Sequence, residues 1–141
     1  MSDANALPPF AGKPLPLKER MKIARTAMPE RDAQVRSRNF EEVNLGLPPA
    51  DALIEASRCI ECAKPGCVIE CPVGVKIKEV VSLIRVGDYL AAAIKMREDN
   101  ALPAITGRVC PQENQCEGGC VLGKKGSPVA IGNLERFIAD Y

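Results

Sequence analysis

Apolar residues recur at helical spacing in five stretches of this chain, and no useful run of alternating apolar and polar positions appears anywhere. Leu17, Met21, Ala24 and Met28 make one stripe that predicts a helix over 17–28, closed by Pro29. After Pro48 and Pro49, Asp51 is placed to cap a short helix whose stripe Leu53, Ala56, Ser57 and Ile60 runs into the first cysteines. Ile77, Val80, Val81 and Ile84 predict a helix within 75–86 with Gly87 as its stop, and Asp88 then caps a second helix carrying Tyr89, Ala92, Ala93 and Met96. The turn between them is short, so the pair should be antiparallel. Ser127 before Pro128 reads as a cap followed by a first-turn proline, and Ile131, Leu134, Glu135 and Ile138 share one face of the helix that follows. The expected fold class is all-α: a small helical domain whose loops carry the cysteines.

The remaining segments lack this order. Residues 1–16 hold four prolines among small and polar neighbours and predict a flexible N-terminal arm, leaving 17–141 as the helical domain. Residues 28–49 are charged, with isolated Val35, Phe40, Val43 and Leu45, and read as a wrapping segment pinned at those apolar points.

Composition narrows the chemistry. A formal net charge of +1 gives no basic field for nucleic acid. No run of about 18 apolar residues is present to span a bilayer, and the N-terminal sequence has no leader pattern, so neither membrane nor nucleic acid is an expected partner and the expected location is cytoplasmic. Histidine is absent, which removes Ser-His and Cys-His nucleophile pairs and any His-containing zinc site. Aromatic residues are only 4% and Trp is absent, so the core is aliphatic or built around something other than a side chain. Seven cysteines supply the candidate, because in a reducing compartment clustered thiols are metal ligands or catalytic thiols before they are disulfides.

They form two motifs. RCIECAKPGCVIECPVGV holds Cys59, Cys62, Cys67 and Cys71 as C-x2-C-x4-C-x3-C-P, and VCPQENQCEGGC holds Cys110, Cys116 and Cys120 as C-x5-C-x3-C. In the bacterial two-cluster ferredoxin run, three cysteines hold one 4Fe-4S cluster and the fourth, before a proline, ligates the other. By that logic Cys59, Cys62 and Cys67 share one cluster with a ligand from the second motif, and Cys71 joins the other second-motif cysteines around another. Two such clusters need about eight ligands, and the chain has seven cysteines. Glu135 is the candidate for the missing one, since a carboxylate in an apolar stripe is costly unless paired or bound to a metal. Gln112, Gln115 and Glu70 are further options, and a plain surface position at the edge of the stripe is the alternative for Glu135. Arg58, Lys64, Lys76, Lys78, Arg108, Lys124 and Lys125 flank the motifs and either offset cluster charge or are solvated surface.

Competing readings are weaker. Four-cysteine zinc sites are common, which makes a zinc-stabilised helical docking module the alternative, but x4 and x3 spacings and two Cys-Pro steps suit zinc ribbons poorly. GGCVLGKK lacks the Ser or Thr of a phosphate loop, and no G-x-G-x-x-G is present for FAD or NAD(P). Met21, Met28 and Met96 read as core filler rather than haem ligands.

In order, MPERDAQVRSRNFEEVNLG, the two cysteine motifs and VAIGNLERFIADY resemble the N-terminal iron-sulfur domain of the glutamate synthase small subunit, dihydropyrimidine dehydrogenase and the large subunit of NADH-dependent reduced ferredoxin:NADP oxidoreductase. The resemblance covers about residues 20–141. It implies an alpha-helical ferredoxin-like domain with two 4Fe-4S clusters that passes electrons and by itself turns over no substrate. It further implies Cys59, Cys62, Cys67 and Cys120 as ligands of one cluster, and Cys71, Cys110 and Cys116 of the other. In relatives a non-cysteine side chain from the IGxL[EQ] helix can complete the second set, and here that position is Glu135. Family members continue into FAD- and NAD(P)H-binding domains, so the expectation is the N-terminal part of a longer NAD(P)H-dependent oxidoreductase. The flavin and nicotinamide would then bind the parent or a partner, including a larger flavin-containing subunit, and not this chain.

Overall fold

The computed structural model describes Lys13 and residues 15–141, so most of the arm expected at 1–16 lies outside the described residues. What is described is helical, with eight short α-helices, two 3-10 turns and no strand beyond an isolated bridge between Glu30 and Asn44. The helices are α1 (Leu17–Arg20), α2 (Ala33–Arg36), α3 (Pro49–Ser57), α4 (Gly66–Ile69), α5 (Ile77–Arg85), α6 (Tyr89–Arg97), α7 (Pro103–Val109) and α8 (Ile131–Asp140). Among the described residues no helix is long and apolar enough to cross a membrane.

The core is aliphatic. Ala52 and Ala56 of α3, Val80, Val81 and Ile84 of α5, Ala92 and Met96 of α6, and Leu134 and Ile138 of α8 are buried in one cluster, and Cys59, Cys67, Cys71 and Cys120 pack against it. Gly87 follows α5 with φ +82°, a left-handed conformation that releases the chain into the next helix, where the Asp88 carboxylate accepts from the Ala91 N–H at 3.1 Å. Three aromatic rings gather at one place, Tyr89 meeting Phe137 edge-on at 5.0 Å and Tyr141 at 5.3 Å.

Three expected elements differ, each because a long-range polar contact or a proline outcompetes local pattern. The helix expected over 17–28 ends at Arg20, and Leu17 and Met21 of its stripe are exposed. Arg20 instead reaches back to the Cys59 carbonyl at 2.9 Å and the Glu61 carboxylate at 2.7 Å, Arg25 pairs with Glu117 at 2.8 Å, and the Thr26 N–H donates to Glu55 at 2.7 Å. The chain is thereby laid across the domain in a non-helical path. Asp51 is not a cap: Pro49 opens α3 after Pro48, which puts Asp51 in the first turn, where its charge still suits the helix N-terminus. Ser127 is not a cap either. Its carbonyl and that of Pro128 accept from Arg58 at 2.7 and 2.8 Å, holding 127–130 out of the helix, and α8 begins only at Ile131.

The wrapping segment 28–49 wraps, but not by its isolated apolar residues. Val35, Phe40, Val43 and Leu45 are exposed, whereas Leu47 is buried. Polar ties do the pinning: Arg136 donates to the Asn44 carbonyl at 2.8 Å and pairs with Glu42 at 3.1 Å, while Arg108 bridges Glu42 and Asp140, each at 2.7 Å.

Candidate metal centre

The cysteines surround two cavities. The first, about 30 Å³, is lined by Cys59, Cys62, Cys67 and Cys120 among apolar side chains that include Val81 and Ile131. The second, about 250 Å³, is lined by Cys71, Cys110, Cys116 and Glu135 together with Gln112 and Gln115. Cys67, in the single turn α4, and Cys71, just after it, face different cavities. Ile77, the first residue of α5 and almost fully buried, lines both. Among the described residues no three Cys, Asp or Glu side chains converge as a single metal ion requires; the thiols ring a space instead.

Two glycines bring the motifs together at the first cavity. A Cβ on Gly66 would lie 2.3 Å from the Gly119 carbonyl oxygen, and one on Gly119 would lie 2.6 Å from that of Gly66. The backbone beside Cys67 therefore crosses the backbone beside Cys120 at a distance no other residue permits. At Gly132 the case differs, because a Cβ there would overlap only the Gln112 side-chain amide, the movable end of a flexible side chain.

Burial dominates the electrostatics. It pushes the Cys67 thiol up to about 11, with like charge from Cys59 and Cys120 adding to it, and the Cys116 thiol up to about 12, with Glu117 adding to it. Cys59 and Cys110 are raised for the same first cause. Buried thiols held as neutral S–H cost little by themselves, and they become anionic donors when a metal centre compensates the charge. A set of thiols around a cavity, with a close glycine–glycine approach beside the first, is chemistry that fits an iron-sulfur group.

Comparison with known proteins decides the family. Residues 36–141 match the family model described as dihydropyrimidine dehydrogenase domain II, 4Fe-4S cluster. The chain belongs to this family. Among curated relatives, UacF of Escherichia coli (strain K12) is 41% identical over 109 residues, 77% of this chain and 17% of that protein. The small chain of glutamate synthase [NADPH] from Halomonas elongata is 36% identical over 118 residues, 84% of this chain and 25% of that one. The NAD-dependent dihydropyrimidine dehydrogenase subunit PreT of Escherichia coli O157:H7 is 36% identical over 102 residues, 72% of this chain and 25% of that one. The chain thus spans a quarter or less of the length of these relatives.

In this 4Fe-4S domain, Glu135 is buried on the apolar face of α8 and not at its surface edge. Burial raises its carboxyl against the opposing effect of hydrogen bonds from Thr106 and Asn100. Asn100 donates to Oε1 at 2.9 Å, and the Thr106 hydroxyl makes a short contact with the same oxygen. Neither residue stood out in the sequence. Of the other oxygen donors considered, Gln112 and Gln115 line the second cavity, whereas Glu70 packs its side chain against Gly119.

Three of the seven flanking cations are spoken for. Arg58 is buried against Glu55 at 2.6 Å, Arg108 binds Glu42 and Asp140, and Lys76 pairs with Asp99 at 3.0 Å. Of the seven basic residues beside the motifs, only Lys78 lines a cysteine cavity. A missed pair of cations does hold the first motif from outside: Arg20 and Arg85 both bind Glu61, whose carboxyl they hold down to about 2.

Proposed function

We propose that this domain holds two 4Fe-4S clusters and relays single electrons between a flavin- or NAD(P)H-binding unit and a further redox centre. Cys59, Cys62, Cys67 and Cys120 are the ligands of the first, and Cys71, Cys110, Cys116 and Glu135 those of the second. The observation that carries the reading is the partition of the seven thiols and one buried carboxylate between two separate cavities, four donors to each. When bound, such a group supplies reversible one-electron transfer at a potential set by charge, hydrogen bonding and solvent exposure.

The chain's own residues act on those levers. The Gly66 and Gly119 crossing keeps side chains out from between the two backbone loops, and the aliphatic wall of Ile77, Val81 and Ile131 excludes water. Glu135 offers an oxygen where the other donors offer sulfur, which makes the two sites chemically unequal. The domain is read as the N-terminal part of a longer flavoprotein. The names of its relatives support an oxidoreductase parent, as PreT and the glutamate synthase small chain are NAD- and NADPH-linked by name.

The test is iron, zinc and acid-labile sulfide per chain on anaerobically purified protein, followed by EPR before and after dithionite. About eight iron and eight sulfide are expected. Zinc without sulfide would replace the relay by a docking module, and about four iron would leave one cavity without a cluster. Glu135→Ala is expected to perturb one reduced signal and spare the other.

A further inference from the structure

Glu135 is held by one oxygen only. Both of its hydrogen bonds, from Asn100 and from Thr106, go to Oε1, and among the described residues none goes to Oε2. The Asn100 amide is itself fixed, while the single Thr106 hydroxyl proton has two acceptors within reach, Glu135 Oε1 and the Leu102 carbonyl at 3.1 Å, of which the Glu135 oxygen is the nearer. The Leu102 N–H donates to Asn100 Oδ1 at 3.0 Å, which sets the amide so that its NH2 faces Glu135. That NH2 has two hydrogens: one goes to Glu135, the other to Thr106 Oγ1 at 2.7 Å. Asn100 is 8% exposed and Glu135 9%, so water does not compete freely for these bonds. All three residues line the second cavity.

We propose that Asn100 and Thr106 are positioning residues that clamp Glu135 by Oε1 and so present Oε2 to the second cysteine cavity as an anionic oxygen donor. The proposal rests on the reading of Glu135 as a ligand and adds how that ligand is aimed. A glutamate has three rotatable side-chain bonds, and an unclamped carboxylate could turn away or chelate through both oxygens. Two donors on one oxygen remove that freedom. Asn100 sits between α6 and α7, Thr106 in α7 and Glu135 in α8, so the clamp also ties the donor's aim to the packing of α7 on α8. That packing is set by Gly107, where a Cβ would come within 2.8 Å of the Arg136 N.

The test compares Thr106→Val, Thr106→Ser, Asn100→Asp and Glu135→Ala in the full chain, loaded anaerobically with iron and sulfide, by iron count and EPR after dithionite. Thr106→Val removes the hydroxyl at constant size, and Asn100→Asp keeps the acceptor for Leu102 while replacing the donors by a second anion. Both are expected to shift the g values of the same signal that Glu135→Ala shifts, or to lower iron from about eight to about seven per chain, with the other signal at its wild-type position. Thr106→Ser is expected to restore the wild-type spectrum. If Glu135→Ala moves a signal while Thr106→Val and Asn100→Asp do not, the clamp is overturned and the ligand stands. If Glu135→Ala moves neither signal, ligand and clamp fall together. Loss of both signals in Thr106→Val would make Thr106 a purely structural residue and overturn its role here. The Thr106 pair decides the matter even if Asn100→Asp does not fold.

Discussion

Gly66 and Gly119 sit so close that each occupies the space the other's side chain would need, with 2.3 and 2.6 Å from a built Cβ to the opposite carbonyl oxygen. Neither has a positive φ, so the demand for glycine is purely one of approach. Gly119→Ala is expected to force the loops apart, cost about 1–3 kcal/mol as overpacking does elsewhere, and lower iron by about four per chain, the content of one cluster. Parallel iron determination and urea midpoints check both effects. Full iron in Gly119→Ala would show that the first cavity tolerates separation of its two loops.

Gly87 offers the contrast. Its φ is +82° and a Cβ there meets nothing within 4 Å, so Gly87→Ala meets strain without collision. The expected cost is about 1–2 kcal/mol from the left-handed conformation alone, read as a lower urea midpoint with iron and sulfide content unchanged.

Glu55 and Arg58 form a buried pair one helical turn apart, 0% and 4% exposed, at 2.6 Å. Glu55 also accepts from the Thr26 and Ala130 N–H groups at 2.7 Å each, and Arg58 also donates to Ile23, Ser127 and Pro128 carbonyls. Removing either partner leaves the other buried and uncompensated, so Glu55→Ala and Arg58→Ala should each destabilise by about 3–5 kcal/mol. The double variant should lose less than the sum. A strictly additive double-mutant cycle from denaturation curves would contradict that coupling.

Raised thiols make stability depend on both metal and pH. Cys67 at about 11 and Cys116 at about 12 lie above the ordinary thiol value of 9.0, so between about 9 and 12 the folded metal-free chain holds more protons than the unfolded one. Stability must then fall as pH rises through that window. No such loss is expected below pH about 9, nor after loading, when the thiolates are already committed to metal. Urea midpoints of the metal-free chain at pH 7, 9 and 10, set beside those of the loaded chain, check the sign.

Much of the site was legible because its residues broke local rules. The cysteine spacings announced two groups of cysteines, which the fold divides between two cavities, and Glu135 was visible as a carboxylate in an apolar stripe. Asn100 and Thr106 were not, since each becomes significant only when α7 lies on α8, a fact of packing that spacing does not carry. The helix α7 was missed for a related reason: Ile105 and Val109 are exposed, so its inner face is a buried proline and a half-buried glycine rather than a hydrophobic stripe. The failed helix over 17–28 had a correct period, overridden by Arg20, Arg25 and Thr26 finding partners far along the chain. Periodicity sees burial; it does not see a guanidinium reaching thirty residues or more.

Ile77 stands in the wall of both cavities, and that makes the domain something other than a pair of independent sockets. Charge placed in one is separated from the other by a partition of hydrocarbon, where fields are screened far less than in water. With a cluster in each cavity, as proposed, an electron arriving on one side would be felt on the other, and the second would enter against the first. A relay so built would favour handing electrons on one at a time over storing two, with Ile77 in the partition between them.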